Sequence, residues 1–209
     1  MYRFKFLLLV ISLFFTRTYG QSSDKMKEYF AEPIMMDTLS TLFIPILYDA
    51  KLFSSEKIAV FGNYYANILI YDFKVDQYRK LFPRDTFIEP IILDNIEYSG
   101  KTWVRGKNVS RNWVFYKVKS VDYTGNGKID ELDPTILFVS TRNGTGLKRL
   151  TPENEHVISI QFFESQGFAL IRLLRDSDGD RSFRGMDKVT YYTKIDLKTL
   201  EVGHPIELR

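Results

Sequence analysis

The segment Asp122-Tyr-Thr-Gly-Asn-Gly-Lys-Ile-Asp-Glu-Leu-Asp133 places oxygen donors at alternate positions of a short loop. A hard divalent cation takes about six to eight oxygens at roughly 2.3–2.6 Å, and one loop supplies them only if alternate side chains turn inward. In that register Asp122, Thr124 and Asn126 stand at positions 1, 3 and 5, Gly127 at the sharp turn and Lys128 where a backbone carbonyl is used. Asp130 falls at position 9 and Asp133 at position 12, while Ile129 at position 8 tethers the loop to a core. A second segment, Asp176-Ser-Asp-Gly-Asp-Arg-Ser-Phe-Arg-Gly-Met-Asp187, puts Asp176, Asp178, Asp180 and Asp187 at positions 1, 3, 5 and 12. The chemistry predicted for both is Ca2+ binding.

The second loop departs from the register, with Arg181 at the turn glycine and Arg184 at position 9. Both loops end in Asp, which reaches less far around an ion than the usual bidentate Glu, so the sites suit the millimolar calcium of extracellular modules. Asp, Asn and Gly are also ordinary turn formers, and clustered acids without a cation repel one another. Paired carboxylates offer a competing, hydrolytic chemistry: Glu32, Asp37, Glu89 and Asp94 recur in a repeated Glu-Pro-Ile motif. Repetition at equivalent positions favours a fold role for them, so no catalytic residue is assigned. His156 and His204 are the two histidines, and the chain has no Gly-x-Ser-x-Gly, Walker loop or dinucleotide fingerprint.

The elements that must hold these loops are strands. Phe30-Ala-Glu-Pro-Ile-Met-Met-Asp37 recurs as Phe87-Ile-Glu-Pro-Ile-Ile-Leu-Asp94. Ile58–Phe61, Trp113–Val118 and Phe168–Leu174 follow at even spacing, and each leads through a loop into a second β-branched and aromatic run, Ile68–Phe73, Thr135–Ser140 or Val189–Ile195. First strands are expected at Ile34–Met36 or Phe43–Leu47, then Pro90–Ile96 and Val157–Phe163; short return strands end in Leu81-Phe-Pro83, Leu150-Thr-Pro152 and Gly203-His-Pro205. Helical spacing is nearly absent, with one or two turns expected at Ser23–Phe30. Units of this length with four strands each read as propeller blades. The fold class is therefore all-β, with about three four-stranded antiparallel propeller-like blades spanning 30–83, 87–152 and 153–209. Three such blades make an incomplete ring as a single chain, because closed propellers typically use four to eight. A homodimer completing a six-blade ring would cover the ends. Unit one is expected to join its strands through Gly62–Asn67, without an acidic loop.

Two resemblances follow from these residues. Leu137-Phe-Val-Ser-Thr-Arg-Asn-Gly-Thr-Gly-Leu-Lys-Arg-Leu-Thr151 resembles the strand, Asn-Gly turn and Leu-Thr ending of TolB-like propeller repeats, although Glu164-Ser-Gln-Gly167 stands where that family has Ser-Pro-Asp-Gly. The resemblance implies an exported β-propeller with binding roles. The acidic segments resemble the calcium loops of EF-hands, placed here between strands instead of helices.

The first twenty residues read as a secretory signal peptide: Arg3 and Lys5, an apolar stretch from Phe6 to Phe15, then Thr18 and Gly20 at small-residue positions before Gln21. That stretch is too short to span a bilayer as a helix. The chain carries 29 Lys and Arg against 26 Asp and Glu, and Arg3, Lys5 and Arg17 account for the whole excess. Residues 21–209 then have no net field to attract nucleic acid. With no Cys, disulfides, thiolate metal sites and cysteine lipidation are excluded. Asn108-Val-Ser110 and Asn143-Gly-Thr145 match the glycosylation pattern of a eukaryotic secretory pathway. Trp103, in the basic loop Lys101–Lys107, is a candidate contact for a protein or glycan partner. The expectation is an exported, periplasmic or extracellular, calcium-binding scaffold or binding module without catalysis. A hydrolase using carboxylates in a channel is the alternative.

Overall fold

The computed structural model describes residues 28–35, 40–48, 64–89, 96–98, 103–105, 112–183 and 189–208. Residues 1–20, Ile58–Phe61, Asp37, Asp94 and Asp187 lie outside them. The regular structure of the described residues is antiparallel strand, apart from a 3-10 turn at Glu164–Gln166.

Three meanders follow one another along the chain. The first contains β1 (Glu28–Phe30), β2 (Ile34–Met35), β3 (Thr41–Tyr48), β4 (Tyr65–Asp72) and β5 (Gln77–Lys80). Here β1 and β2 both pair with β3, which pairs with β4, which pairs with β5. The second meander runs through β6 (Phe87–Ile88), β9 (Trp113–Lys119), β10 (Ile136–Thr141) and β11 (Lys148–Arg149). A small hairpin of β7 (Ile96–Tyr98) and β8 (Trp103–Arg105) interrupts it between β6 and β9. The third consists of β12 (Glu155–Phe163), β13 (Phe168–Arg175) and β14 (Thr190–Asp196), and the bridges Tyr192 to Ile206 and Ile195 to Val202 add a fourth strand position. Pairing of Tyr65 with Ile88 joins the first two meanders into one sheet. The result is a propeller-like stack of units that does not close a ring.

Period-two alternation makes this stack possible, because successive strand residues point to opposite faces. The inward row of unit one, Phe43, Ile68 and Ile70, packs on Val114, Tyr116 and Val118 of unit two. The opposite face of unit two presents Leu137 and Val139 to Val157, Ile171, Leu173, Tyr191 and Ile195 of unit three. Each such fully buried side chain contributes about 1.5–3 kcal/mol. Unit two is apolar on both faces because it is covered on both.

Four strand expectations are corrected. Of the two runs expected to open unit one, Ile34–Met35 is β2, paired with Phe43 and Leu42, and Thr41–Tyr48 is the partner of β4 in the place expected for Ile58–Phe61. Tyr65–Asn67, expected in the joining loop, already belong to β4, and residues 49–64 lie between the two paired strands. That connection contains Asp49 and Glu56, which removes the contrast with an acid-free first unit. The first strand of unit two begins at Phe87, inside the repeated motif, and Ile96 belongs to the separate β7–β8 hairpin. Trp103 lies in β8, paired with Tyr98, and Glu28–Phe30 is a strand where a helical turn was expected.

Candidate metal centre

Both acidic segments sit at equivalent places, loop 1 between β9 and β10 and loop 2 between β13 and β14. Their backbones follow one hydrogen-bond scheme. The Asp122 carboxylate accepts the N–H groups of Gly125 at 2.8 Å, Asn126 at 3.1 Å and Gly127 at 2.8 Å. The Asp176 carboxylate accepts those of Gly179 at 2.8 Å and Arg181 at 3.1 Å. At position 5, Asn126 Oδ1 accepts from Lys128 N at 2.9 Å and Asp180 Oδ1 from Ser182 N at 2.8 Å. Positions 4 and 6 are left-handed in both loops: Gly125 (φ 74°) and Gly127 (φ 82°), then Gly179 (φ 77°) and Arg181 (φ 62°). An acceptor at position 1 thus gathers several loop amides, which is the Asx-type capping that short Asp side chains perform.

Beyond that scheme the loops diverge. In loop 1, Asp133 is 1% exposed, and its carboxylate accepts from the N–H groups of Tyr123 at 2.8 Å, Thr124 at 3.2 Å and Asp130 at 2.8 Å. Asp130, also buried, accepts from Asn126 Nδ2 at 3.0 Å and Leu132 N at 2.8 Å. Thr124 Oγ1 lies 3.4 Å from both Asp122 Oδ1 and Asp133 Oδ1, so positions 1, 3 and 12 converge on that hydroxyl. Beneath the loop, buried Lys119 donates from Nζ to the carbonyls of Asp133 and, at 3.5 Å, Glu131. Burial pushes the Lys119 ammonium below its ordinary range, and the charges of Asp133, Glu89, Asp130 and Glu131 pull the other way.

Loop 2 is open by comparison. Carboxylate oxygens of Asp176, Asp178 and Asp180 lie within 4.8 Å of one another, with Asp178 and Asp180 exposed. Three hard anionic donors at that separation fit a divalent cation by charge and donor type. Partial burial acts against the Asp176 charge, but hydrogen bonds from Tyr123 and from the amides of Gly179, Arg181 and Asp180 outweigh it and hold the carboxyl below its usual range. Asp178 Oδ1 accepts the Asp180 N–H at 3.1 Å.

The loops meet. Tyr123 donates its hydroxyl to Asp176 Oδ2 at 2.8 Å, and its ring lies 5.5 Å from that of Phe183. The His156 ring stands 5.7 Å from Phe183 on the other side, and its Nδ1 accepts the Thr135 N–H at 3.1 Å. Burial, reinforced by the positive charges of Lys119 and Lys117, lowers His156 to about 4. Neutral imidazole is the form that can accept at Nδ1, so the geometry and the shift agree.

The structure therefore brings Asp176, Asp178 and Asp180 together at one point, and Asp122, Thr124 and Asp133 at another. Lys128 and Asn126 meet through their own hydrogen bond, and Asp187 falls outside the described residues. Glu89, a carboxylate of the competing hydrolytic reading, is ion-paired with Lys117 at 2.6 Å, and Glu32 is exposed beyond β1. Sequence reasoning passed over Lys119 and Tyr123. Lys119 had a signal, a charged residue ending the otherwise inward-alternating Trp113–Lys119 strand and next to an acidic loop. Tyr123 had none, since its partner is 53 residues away.

No protein-family model matches the chain, and no curated protein matches it. A solved structure, an oligogalacturonate lyase in complex with manganese, is similar with a TM-score of 0.38 and 11% identity, covering 78% of this chain and 38% of that one. The chain thus spans less than half the length of that neighbour.

Proposed function

We propose that the chain is an exported binding or scaffold module whose third unit is ordered by calcium at Asp176, Asp178 and Asp180. The observation that carries the reading is the convergence of these three carboxylates at the tip of a hairpin whose strands are part of the core. Mutual repulsion of three anions is relieved by a divalent cation, and an ion that binds only the folded loop stabilises it by mass action. Asp178 and Asp180 are exposed, which gives the ion an entry path and leaves room for water to complete its shell. No reaction is assigned to the site. Its chemistry is that of a structural ion, and the leader-like residues before Gln21 support a reading of the module as exported, where calcium is plentiful.

Calorimetric titration of calcium into chelator-treated protein tests the reading, with magnesium and manganese in parallel. One binding event is expected, with affinity in the range of extracellular modules, lost in Asp178→Asn and accompanied by a rise in melting temperature. Absence of heat and of any thermal shift up to several millimolar calcium would sink it. A response to manganese alone would keep the site and change its ion.

A further inference from the structure

Two loops share a backbone scheme, yet loop 1 buries Asp130 and Asp133 whereas loop 2 leaves Asp178 and Asp180 exposed, and a buried cation lies beneath loop 1. Trp113 pairs with Thr141 at the far end of the second hairpin, and Phe168 pairs with Asp196 at the far end of the third. Counting equally along both strands, Lys119 in β9 corresponds to Leu174 in β13. Lys119 is thus a buried cation leading into loop 1, where the equal count along β13 reaches a leucine. Its ammonium is buried and bonded to the carbonyls of Asp133 and Glu131, and the acids whose charges act on it are Asp133, Glu89, Asp130 and Glu131.

We propose that Lys119 is the resident cation of loop 1, closing that loop without a metal, so that the chain holds one ion site and one lysine-held counterpart. A buried ammonium needs anions and acceptors around it, and loop 1 supplies the backbone carbonyls of Asp133 and Glu131 together with the nearby charges of Asp133, Asp130 and Glu131. The same loop directs Asp133 away from an ion: its carboxylate accepts three backbone N–H groups. Loop 2, lacking that lysine, is the loop that requires a cation from outside. This contrast rests on the calcium reading of loop 2, whereas the role of Lys119 in loop 1 stands apart from it.

Limited trypsin digestion separates the two. Exposed Lys128 lies in loop 1 and exposed Arg181 in loop 2. In chelator the wild-type protein is expected to be cut after Arg181 and to resist cutting after Lys128, and added calcium should protect Arg181 alone. Lys119→Met should expose the Lys128 site, speeding its cleavage by about tenfold or more, which corresponds to about 1.4 kcal/mol of local opening. Lys119→Arg, which keeps the charge, should retain most of the protection. Unchanged protection of Lys128 in a folded Lys119→Met protein overturns the proposal. If that variant does not fold, the wild type still decides. Two calcium ions, one lost in Asp122→Asn and one in Asp178→Asn, or Lys128 cleavage in chelator that calcium suppresses, would overturn it. Calcium-insensitive cutting at Arg181 would instead remove the calcium reading of loop 2 and leave Lys119 in place.

Discussion

At the tip of β9–β10, Asp133 is 1% exposed and spends its carboxylate on three backbone amides, whereas at the tip of β13–β14 Asp178 and Asp180 face water. Both loops begin with the same Asp-capped turn, so the divergence is not in the turn itself. Beneath loop 1 lies buried Lys119, bonded to the Asp133 and Glu131 carbonyls, whereas the same count along the strand before loop 2 reaches Leu174. A loop motif read by its own spacing reports which side chains converge. Whether they converge on an ion, an amide or a lysine depends on a residue outside the motif.

Removing one carboxylate from each loop gives the largest expected contrast. Asp133→Ala leaves the buried Asp130 amide and the part-buried amides of Tyr123 and Thr124 without that acceptor, and the Lys119 ammonium with one fewer anion nearby. The expected loss is about 3–5 kcal/mol. Asp178→Ala, without calcium, removes an exposed acceptor from one local amide and should cost less than about 1 kcal/mol. Urea denaturation in chelator measures both. Equal losses would show that the two loops are closed in the same way.

A smaller effect lies at the seam between the loops, where His156 touches Phe183 and accepts from Thr135. Its folded pKa of about 4 lies below the ordinary imidazole value of 6.5. The unfolded chain therefore takes up a proton first as pH falls. The contribution of neutral His156 is fully present above about pH 6.5, declines between 6.5 and 4, and is lost below 4. The sign follows from linkage, and the total is at most about 3 kcal/mol. Stability of the wild type measured across that window should fall more steeply than that of His156→Asn, which keeps an acceptor and does not titrate. Parallel profiles would mean that His156 is charged in the folded protein.

Much of the architecture was legible because alternating β-branched and aromatic runs have one physical reading at a surface between two sheets. Trp113–Lys119, Ile136–Thr141, Phe168–Arg175 and Thr190–Asp196 all appear where their patterns place them. Unit one was less legible. Thr41–Tyr48 and Ile58–Phe61 are both short apolar runs, and pairing is decided by the partner strand, which spacing alone does not identify. The positions of the acidic loops and their shared turn were readable for the opposite reason, since Asp-capped turns are local. The burial of Asp133, the lysine beneath it and the Tyr123 bridge to Asp176 were not, because each joins segments distant in sequence.

The smallest expected effect concerns position 6, where the first turn has glycine and the second arginine. Gly127 and Arg181 occupy the same left-handed place, at φ 82° and 62°. A non-glycine residue there carries about 1–2 kcal/mol of strain. Arg181→Gly relieves it, and the added freedom of the unfolded chain returns about 0.4–1 kcal/mol of the gain. The net expectation in chelator is a stabilisation of up to about 1.6 kcal/mol. The guanidinium also stands close enough to loop 1 that a Cβ built on Gly125 would lie 3.6 Å from it. If that approach holds the loops together, Arg181→Gly should destabilise the protein instead, and the melting temperature would fall. Because the substitution also removes a positive charge beside Asp176, calcium should bind more tightly whichever way stability moves. A thermal shift in chelator and a calcium titration of the same variant therefore report separately on the seam and on the ion site.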